Sequence, residues 1–417
     1  MVKTLIVGGG GREHALAWKL SQSKRVDKVY VSPGNGGTKK IQKTENLDIK
    51  PTDINGLMRF AKHKKINLTV VGPEYSLDEG IVDVFIENGL RIFGPTKSAS
   101  RIESSKKFAK LLMRDMRIPT APFRTFDDKN EARKYIINNC KFPIVIKESE
   151  LASGKGVHIC STSRAAIETI KALNCKEGLI IEDFLDGPEA SAHVRCDGKE
   201  SVILPLSKDY KTLNEEGKGP NTGGMGSYAP MLVSGDVLKI IQSQIVNPVL
   251  RRLMLSGYSF RGCLYPGLKI APQGLMVLEF NARFGDPEFQ SYARLLKTDL
   301  FEILMACVEG KLSEVKIEWE EGYAVCVVLA SKGYPGKCKV GHPISGTEEA
   351  EKVPGVKIFH AGTIFKNGQF ITAGGRVLYV TATGKTLRGA RNRAYRAVKL
   401  IHFKDMQYRK DIALCQN

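Results

Sequence analysis

The sequence predicts a multidomain α/β and α+β protein: an N-terminal doubly wound parallel sheet, a central body carrying a small mobile lid, and a C-terminal mixed α/β domain. Three observations predict it. At 417 residues the chain is too long for one ordinary hydrophobic core. Its N-terminal quarter alternates short apolar runs with helical stretches, the pattern of a parallel sheet covered by helices. The pattern then changes twice, after Pro95 and after Gly322. The expected divisions are residues 1–102, 103–323 with the lid at about 122–190, and 324–417.

In the first part, Thr4 to Val7, Lys28 to Val31, Leu68 to Val71 and Leu90 to Phe93 are strand-sized apolar runs. Each ends in glycine or proline, at Gly8, Ser32-Pro33-Gly34, Gly72-Pro73-Glu74 and Gly94-Pro95. Loops therefore fall at the carboxyl ends of the strands, where such sheets bind ligands. The second part opens with a basic helix from Ser104 to Met116. Strands at Phe142 to Lys147 and Gly178 to Glu182, separated by a helix at Ser163 to Leu173, make the small unit that can move as a lid. The third part has strands at Ala324 to Ala330, Gly362 to Phe365 and Val377 to Thr381. A helix closes it, with Leu387, Ala390, Ala394, Val398 and Ile401 on one apolar face.

Composition narrows the function classes. Apolar residues at 42% and charged residues at 26% describe a globular chain. The N-terminus has no basic segment followed by a long apolar stretch, so no secretory leader is expected. Apolar runs such as Ala324 to Ala330 are far too short to span a bilayer, which points to a cytoplasmic protein with no membrane partner. Nine cysteines lie between Cys140 and Cys415 without a CxxC pair or a close histidine, arguing for neither a zinc site nor a disulfide framework. The net charge of +19 is spread along the chain and comes with no DNA- or RNA-binding motif, so anionic small-molecule substrates are expected and nucleic acid is not.

Several segments carry chemistry. Gly8-Gly9-Gly10-Gly11 follows a strand and precedes a helix beginning near Arg12, where amides and a helix N-terminus can cradle an anion. A nicotinamide dinucleotide would want a further glycine at position 13 or 14 and an acid closing the second strand; Glu13, His14 and Ser32 stand there instead. A phosphate-bearing substrate of another kind is preferred, against the plain reading of a tight turn. Lys106 opens a helix and Lys147 ends an apolar strand, and a buried lysine needs an anion. Leu151 to Val157 is a small-residue loop in which Ser153, Gly154, Lys155 and Gly156 would close over a triphosphate, although its glycine spacing is not that of a Walker loop. Glu182 to Glu189 leaves a strand as a hinge whose backbone at Phe184 and Leu185 would meet an adenine edge, with Glu189 on the ribose; an ordinary acidic turn is the plainer alternative. Finally, alternation on a strand puts Glu279, Asn281 and Arg283 on one face, opposite Leu278, Phe280 and Ala282. Carboxylate and amide oxygens suit magnesium, and the arginine suits a phosphate or carboxylate.

Taken in order, two lysines, a glycine loop, an acidic hinge and the Glu-x-Asn-x-Arg strand resemble the ATP-grasp superfamily. The words Gly10 to Leu16, Val71 to Glu74, Gly219 to Gly226 and Arg283 to Gln290 resemble the phosphoribosylamine-glycine ligase family, and the likeness runs from Lys3 to Asp411. The resemblance implies ATP-dependent joining of glycine to 5-phosphoribosylamine through a glycyl phosphate, with no side-chain nucleophile. It implies Lys106, Lys147 and Arg283 around the transferring phosphoryl group, Glu279 and Asn281 as ligands of Mg2+ or Mn2+, and ATP as co-substrate. Gly10, Gly11 and Arg12 would hold the ribose phosphate; Asp209, Asn221, Thr222, Gly223, Gly224, Gly285 and Asp286, with Arg283, would position glycine and the amine. A monomer or weak homo-oligomer is expected.

The sequence departs from the family's pattern at Ser149-Glu150, where an Asp-Gly pair is usual, and at Tyr210, where histidine is frequent. Ala172 to Gly178 is shorter than usual, and Cys263 to Pro266 has no carboxylate where many ATP-grasp enzymes place a metal ligand. Competing readings are an ATP-grasp ligase or carboxylase for another substrate, disfavoured by Gly219 to Gly226 and Arg283 to Gln290, and a noncatalytic nucleotide-binding protein, disfavoured by retention of both lysines and the metal strand.

Overall fold

The computed structural model describes residues 1–151, 156–173, 176–233 and 235–414. The N-terminal sheet comprises β1 (Val2–Gly8), β2 (Val26–Pro33), β3 (Thr44–Asn46), β4 (Leu68–Val71) and β5 (Ile92–Phe93), all parallel in the order β3-β2-β1-β4-β5. Helices α1 (Gly11–Ser21), α2 (Ile54–Lys64), α3 (Glu74–Asp78) and α4 (Ile81–Glu87) make the connections. The order reverses at β1, so its carboxyl end and the glycine turn lie at the switch point, where such sheets open a crevice. β3 was not legible: Thr44-Glu45-Asn46 has no apolar run, and it pairs only along the sheet edge.

The basic helix expected over Ser104 to Met116 is α6 (Lys106–Asp115), and a separate helix that the sequence reading did not name, α5 (Lys97–Ser104), precedes it. Ser105 divides the two: it is extended, and its hydroxyl accepts the Phe108 amide hydrogen as the N-cap of α6. The lid follows as β6 (Phe123–Phe126), α7 (Lys129–Asn139), β7 (Ile144–Glu148), β8 (Val157–Cys160), α8 (Ser163–Ala172) and β9 (Leu179–Asp183). Its strands form an antiparallel sheet ordered β6-β9-β7-β8, packed on α7 and α8 around Ile144, Ile146, Ile170 and Ile181. This core is separate from the others, as a unit able to move requires.

The central body adds β10 (Glu189–Ser191), β11 (Val194–Asp197), β12 (Ser201–Ile203), β13 (Lys208–Asp209), β14 (Gly226–Ala229), α9 (Val237–Ile240), α10 (Asn247–Leu255), β15 (Arg261–Ala271), β16 (Gly274–Asn281), α11 (Glu288–Leu295) and α12 (Leu300–Glu309). β15 is the long central strand, flanked by β10, β11 and β16. The remaining elements are β17 (Tyr323–Ala330), β18 (Pro343–Ile344), α13 (Thr347–Glu351), β19 (Val356–His360), β20 (Thr363–Lys366), β21 (Gln369–Thr372), β22 (Arg376–Gly384) and α14 (Leu387–Val398). One sheet, β13-β14-β17-β22-β19, takes strands from both sides of the boundary expected at residue 323. The apolar face expected on α14 is buried at Ala390, Ala394 and Val398, while Ile401 packs beyond the helix end.

One large core joins the first, central and last parts, from Ile6 and Leu16 through Phe284 and Phe289 to Phe359 and Tyr379. Gly11 is a tight point of that junction. A Cβ there would lie 2.5 Å from the buried Tyr379 ring. Alanine should favour the helix intrinsically, so the contact decides the sign. Gly11→Ala is expected to cost about 1–3 kcal/mol in urea unfolding; an unchanged or raised midpoint would show that Tyr379 yields freely.

Candidate active site

The end of β16 is the centre of the site. Glu279 lies opposite Gly267 and Asn281 opposite Tyr265 on β15, so a residue without a side chain stands beside the carboxylate. The strand stops at Asn281, and Arg283 therefore does not continue the strand face as alternation predicted. It returns to the same place by its length: its guanidinium donates to Asn281 Oδ1 at 3.0 Å and pairs with Glu103 at 2.9 Å and Glu74 at 3.5 Å. The free anion-binding arginine expected from the sequence is thus occupied by two protein carboxylates. Burial pushes the Glu103 carboxyl up to about 6 despite the pull of Arg283.

Glu279 pairs with Lys211 at 3.0 Å. Lys211 holds the Glu279 carboxyl down at about 2, against burial and with help from Lys147 and Lys106. Lys106 donates its amide to Ser149 O and its ammonium to Glu150 O, both at 2.8 Å, tying α6 to the lid. Burial lowers its pKa. Lys147, 4% exposed on β7, donates to Leu278 O at 2.9 Å and pairs with Glu182 at 2.5 Å. The other Glu182 oxygen meets Lys110 at 2.5 Å. Lys106, Lys110, Lys147 and Lys211 therefore gather around Glu182 and Glu279, with Glu103, Glu148, Glu189 and Asp209 also in their field.

Around this wall the expected hinge leaves β9 with Phe184 exposed and Leu185 buried, and Glu189 pairs with Lys269 at 3.2 Å. Gly156 closes the base of the small-residue loop, its carbonyl accepting the Glu148 amide hydrogen at 3.0 Å. Ser153, Gly154 and Lys155 lie outside the described residues. The unusual Ser149 is buried and its hydroxyl accepts from the Lys107 amide at 3.3 Å. Glu150 accepts the Glu177 amide hydrogen at 3.0 Å, so its carboxylate is engaged with the neighbouring turn.

The glycine turn is partly spoken for. Gly10 donates its amide to Glu13 at 2.6 Å, and Arg12 bonds Glu13 at 2.7 Å and Phe284 O at 3.0 Å. An anion at this turn would have to use what Glu13 leaves, which the glycine spacing alone did not reveal. Gly11, Arg12, Gly285 and Asp286 are nevertheless one neighbourhood. Gly285 donates to His193 Nε2 at 3.0 Å, and Asp286 accepts from Gln290 at 2.8 Å and pairs with Arg376 at 3.3 Å. Arg376 also donates to Asp286 O at 2.7 Å and to Gly223 O, clamping the Gly223 and Asp286 segments together. Asn221 bridges Thr212, and Thr222 donates its hydroxyl to Lys211 O at 2.7 Å.

Gly224 has φ +106 and a Cβ there would fall 2.8 Å from Asp209 Oδ1, so glycine lets this loop pass against the carboxylate. Asp209 is buried, and among the described residues its Oδ1 has no hydrogen-bond partner. Burial, then Glu288, push its carboxyl well above the usual range. Such an acceptor suits an amine or ammonium. Tyr210 points the other way: its hydroxyl accepts the Ala413 amide hydrogen at 3.0 Å, which leaves it a packing role.

The sequence reading did not name Lys110, Lys211, Glu103 or Arg376. Lys110 had a signal, since it follows Lys106 by four residues and shares its helix face. The others are defined by partners distant in sequence, such as Lys211 and Glu279, 68 positions apart.

Among solved structures, the biotin carboxylase domain of Hydrogenobacter thermophilus 2-oxoglutarate carboxylase, described in complex with magnesium ADP, superposes with a TM-score of 0.74 at 16% identity, covering 97% of this chain and 91% of that one. That establishes the shared fold alone. A phosphoribosylamine-glycine ligase of Thermotoga maritima gives a TM-score of 0.85 at 33% identity over 99% of this chain and 100% of its own. A curated relative of the same name from Caldanaerobacter subterraneus subsp. tengcongensis is 46% identical over 420 residues, 99% of each chain. Models of the phosphoribosylglycinamide synthetase N domain, ATP-grasp (A) domain and C domain match residues 2–103, 104–289 and 324–415. The chain belongs to the phosphoribosylglycinamide synthetase family.

Arg283 gives a direct test of this geometry. Arg283→Met would leave the buried Glu103 and the partly exposed Glu74 without their guanidinium partner, and a loss of about 3–5 kcal/mol in unfolding free energy is expected. A change below 1 kcal/mol would mean that water already solvates the cluster.

Proposed function

We propose that this chain uses ATP to join glycine to 5-phosphoribosylamine, giving glycinamide ribonucleotide, ADP and phosphate in de novo purine synthesis. The observation that carries the reading is the chain of contacts that links the lysine wall, the end of β16 and the Gly223 and Asp286 segments: Lys211 with Glu279, Thr222 with Lys211, and Arg376 with Gly223 and Asp286. Family membership names the reactants that such a site serves.

Glycine's carboxylate is a poor electrophile, so its oxygen first takes the γ-phosphoryl group of ATP, and ADP leaves. The amine of phosphoribosylamine then attacks the acyl carbon and inorganic phosphate departs. No side-chain nucleophile is required, and catalysis is alignment and charge neutralisation. Lys106 and Lys147 would meet the phosphates, and the loop of Ser153 to Gly156 would close over them. Glu182, Phe184, Leu185 and Glu189 would surround the nucleoside. Arg283 would act by holding Asn281 in place. Asp209, Asn221, Thr222, Gly285 and Asp286 would orient glycine and the amine, with Gly10, Gly11 and Arg12 on the ribose phosphate side. Closure of the lid would exclude water from the hydrolysable acyl phosphate.

Glu279 and Asn281 fit a magnesium ion: one ionised carboxylate and one amide oxygen, with phosphates to complete the shell, is the usual protein share for that cation. Among the described residues no cluster of three histidine, cysteine or acidic side chains offers a softer alternative. When bound, the ion supplies neutralisation of phosphate charge and a template for phosphoryl transfer. Manganese takes the same hard oxygen donors and is proposed to substitute.

The three proposed units are residues 1–102, 103–323 and 324–417. The sheet shared by β14 and β17 makes the last a fixed wall of the central one. No helix among the described residues is long and apolar enough to cross a membrane. A cytoplasmic enzyme, monomeric or weakly self-associating, accords with this, and the surplus lysines would steer its polyanionic substrates.

ADP release followed with magnesium, glycine and freshly generated phosphoribosylamine, each omitted in turn, tests the reading; turnover indifferent to glycine would end it. Glu279→Gln is expected to lower turnover by on the order of a hundredfold or more, and near-normal turnover at limiting magnesium would remove Glu279 from the metal site.

A further inference from the structure

Lys110 has no part in the reaction as proposed, yet it is among the most completely buried charges in the molecule. It is the fifth residue of α6, 2% exposed, with its ammonium 2.5 Å from Glu182 Oε2. It also donates to Thr120 Oγ1 at 2.6 Å, and Thr120 donates in turn to Val277 O at 2.7 Å. Lys147 meets the opposite oxygen of the same carboxylate and donates to Leu278 O. Both lysines are thus tied to consecutive carbonyls of β16, the strand that carries Glu279 and Asn281. Two ammonium groups thus meet one carboxylate, with Glu279 the next acid whose field reaches both.

The value of this arrangement lies in what happens when a phosphate arrives. If Lys147 is to give its charge to the nucleotide, Glu182 must not be left as an unpaired buried anion, because that penalty would be subtracted from nucleotide affinity. We infer that Lys110 is a positioning residue that keeps Glu182 compensated, so that Lys147 is free to serve the phosphates of a bound nucleotide. It acts through Glu182 and touches no ligand. Burial lowers the Lys110 pKa to about 8 while Glu182 supports its charged form, so at neutral pH the compensating charge is in place. The inference rests on the proposed contact between Lys147 and the phosphates.

The test compares magnesium ADP with adenosine, which has no phosphates, by calorimetric titration of the full chain. Lys110→Met is expected to weaken ADP binding at least tenfold while adenosine affinity stays within twofold, and Lys110→Arg should recover most of the loss. The double variant Lys110→Met/Glu182→Gln, which removes the carboxylate as well, should restore the preference for ADP over adenosine, because nothing then holds Lys147 back. Lys147→Met reports on the underlying reading. If it leaves the ADP-to-adenosine ratio unchanged, Lys147 does not meet the phosphates and that reading fails. If it lowers the ratio while Lys110→Met weakens both ligands equally, or neither, Lys110 is only a clamp between lid and body and the inference is overturned. Should Lys110→Met not fold, the double variant decides: a ratio as low as that of Lys147→Met contradicts the inference.

Discussion

The pairing of Glu279 with Lys211 sets the terms for the rest of the site. A carboxylate meant for a metal ion must be ionised and poorly hydrated, and without a counter-charge that state costs several kcal/mol. Lys211 provides the counter-charge at 3.0 Å from the loop that follows β13. The same solution recurs where Glu182 lies between Lys110 and Lys147, and where Arg283 lies between Glu103 and Glu74. Glu279, Lys147 and Arg283 each have a protein partner already, so these charges are oriented before the reactants arrive and little reorganisation is left for the moment of reaction.

The fold delivers these partners from different parts of the chain. β16 contributes Glu279, Asn281 and the carbonyls that fix Lys147 and Thr120. The lid contributes Lys147 and Glu182, and α6 contributes Lys106 and Lys110, so lid position and charge pairing are linked. At the other end, Arg376 on β22 binds Gly223 and Asp286, and Gly11 rests on Tyr379. The C-terminal part therefore supports the Gly223 and Asp286 segments and the glycine turn.

What could be read from the sequence follows from how local each feature is. The parallel sheet, the lid elements and the closing helix are written as runs and periodicities, and β1, β2, β4, β7, β9, β17, β22 and α14 formed where those patterns lie. Glu279 and Asn281 came together because strand alternation is a local rule. Arg283 broke that rule because the strand ends at Asn281, and its carboxylate partners come from α5 and α3. Lys211 and Arg376 were hidden more deeply: an isolated lysine or arginine has no local mark of a partner 68 or 90 positions away. The Ser149-Glu150 departure is accommodated by Ser149 meeting the start of α6 and Glu150 accepting the Glu177 amide hydrogen.

The central claim is that this prearranged charge serves activation of glycine's carboxylate by phosphoryl transfer. Glycine labelled with 18O in its carboxylate, turned over with ATP and phosphoribosylamine, tests it by mass spectrometry of the inorganic phosphate released. Transfer through an acyl phosphate places one labelled oxygen in each phosphate formed. Unlabelled phosphate with full formation of product would contradict the account.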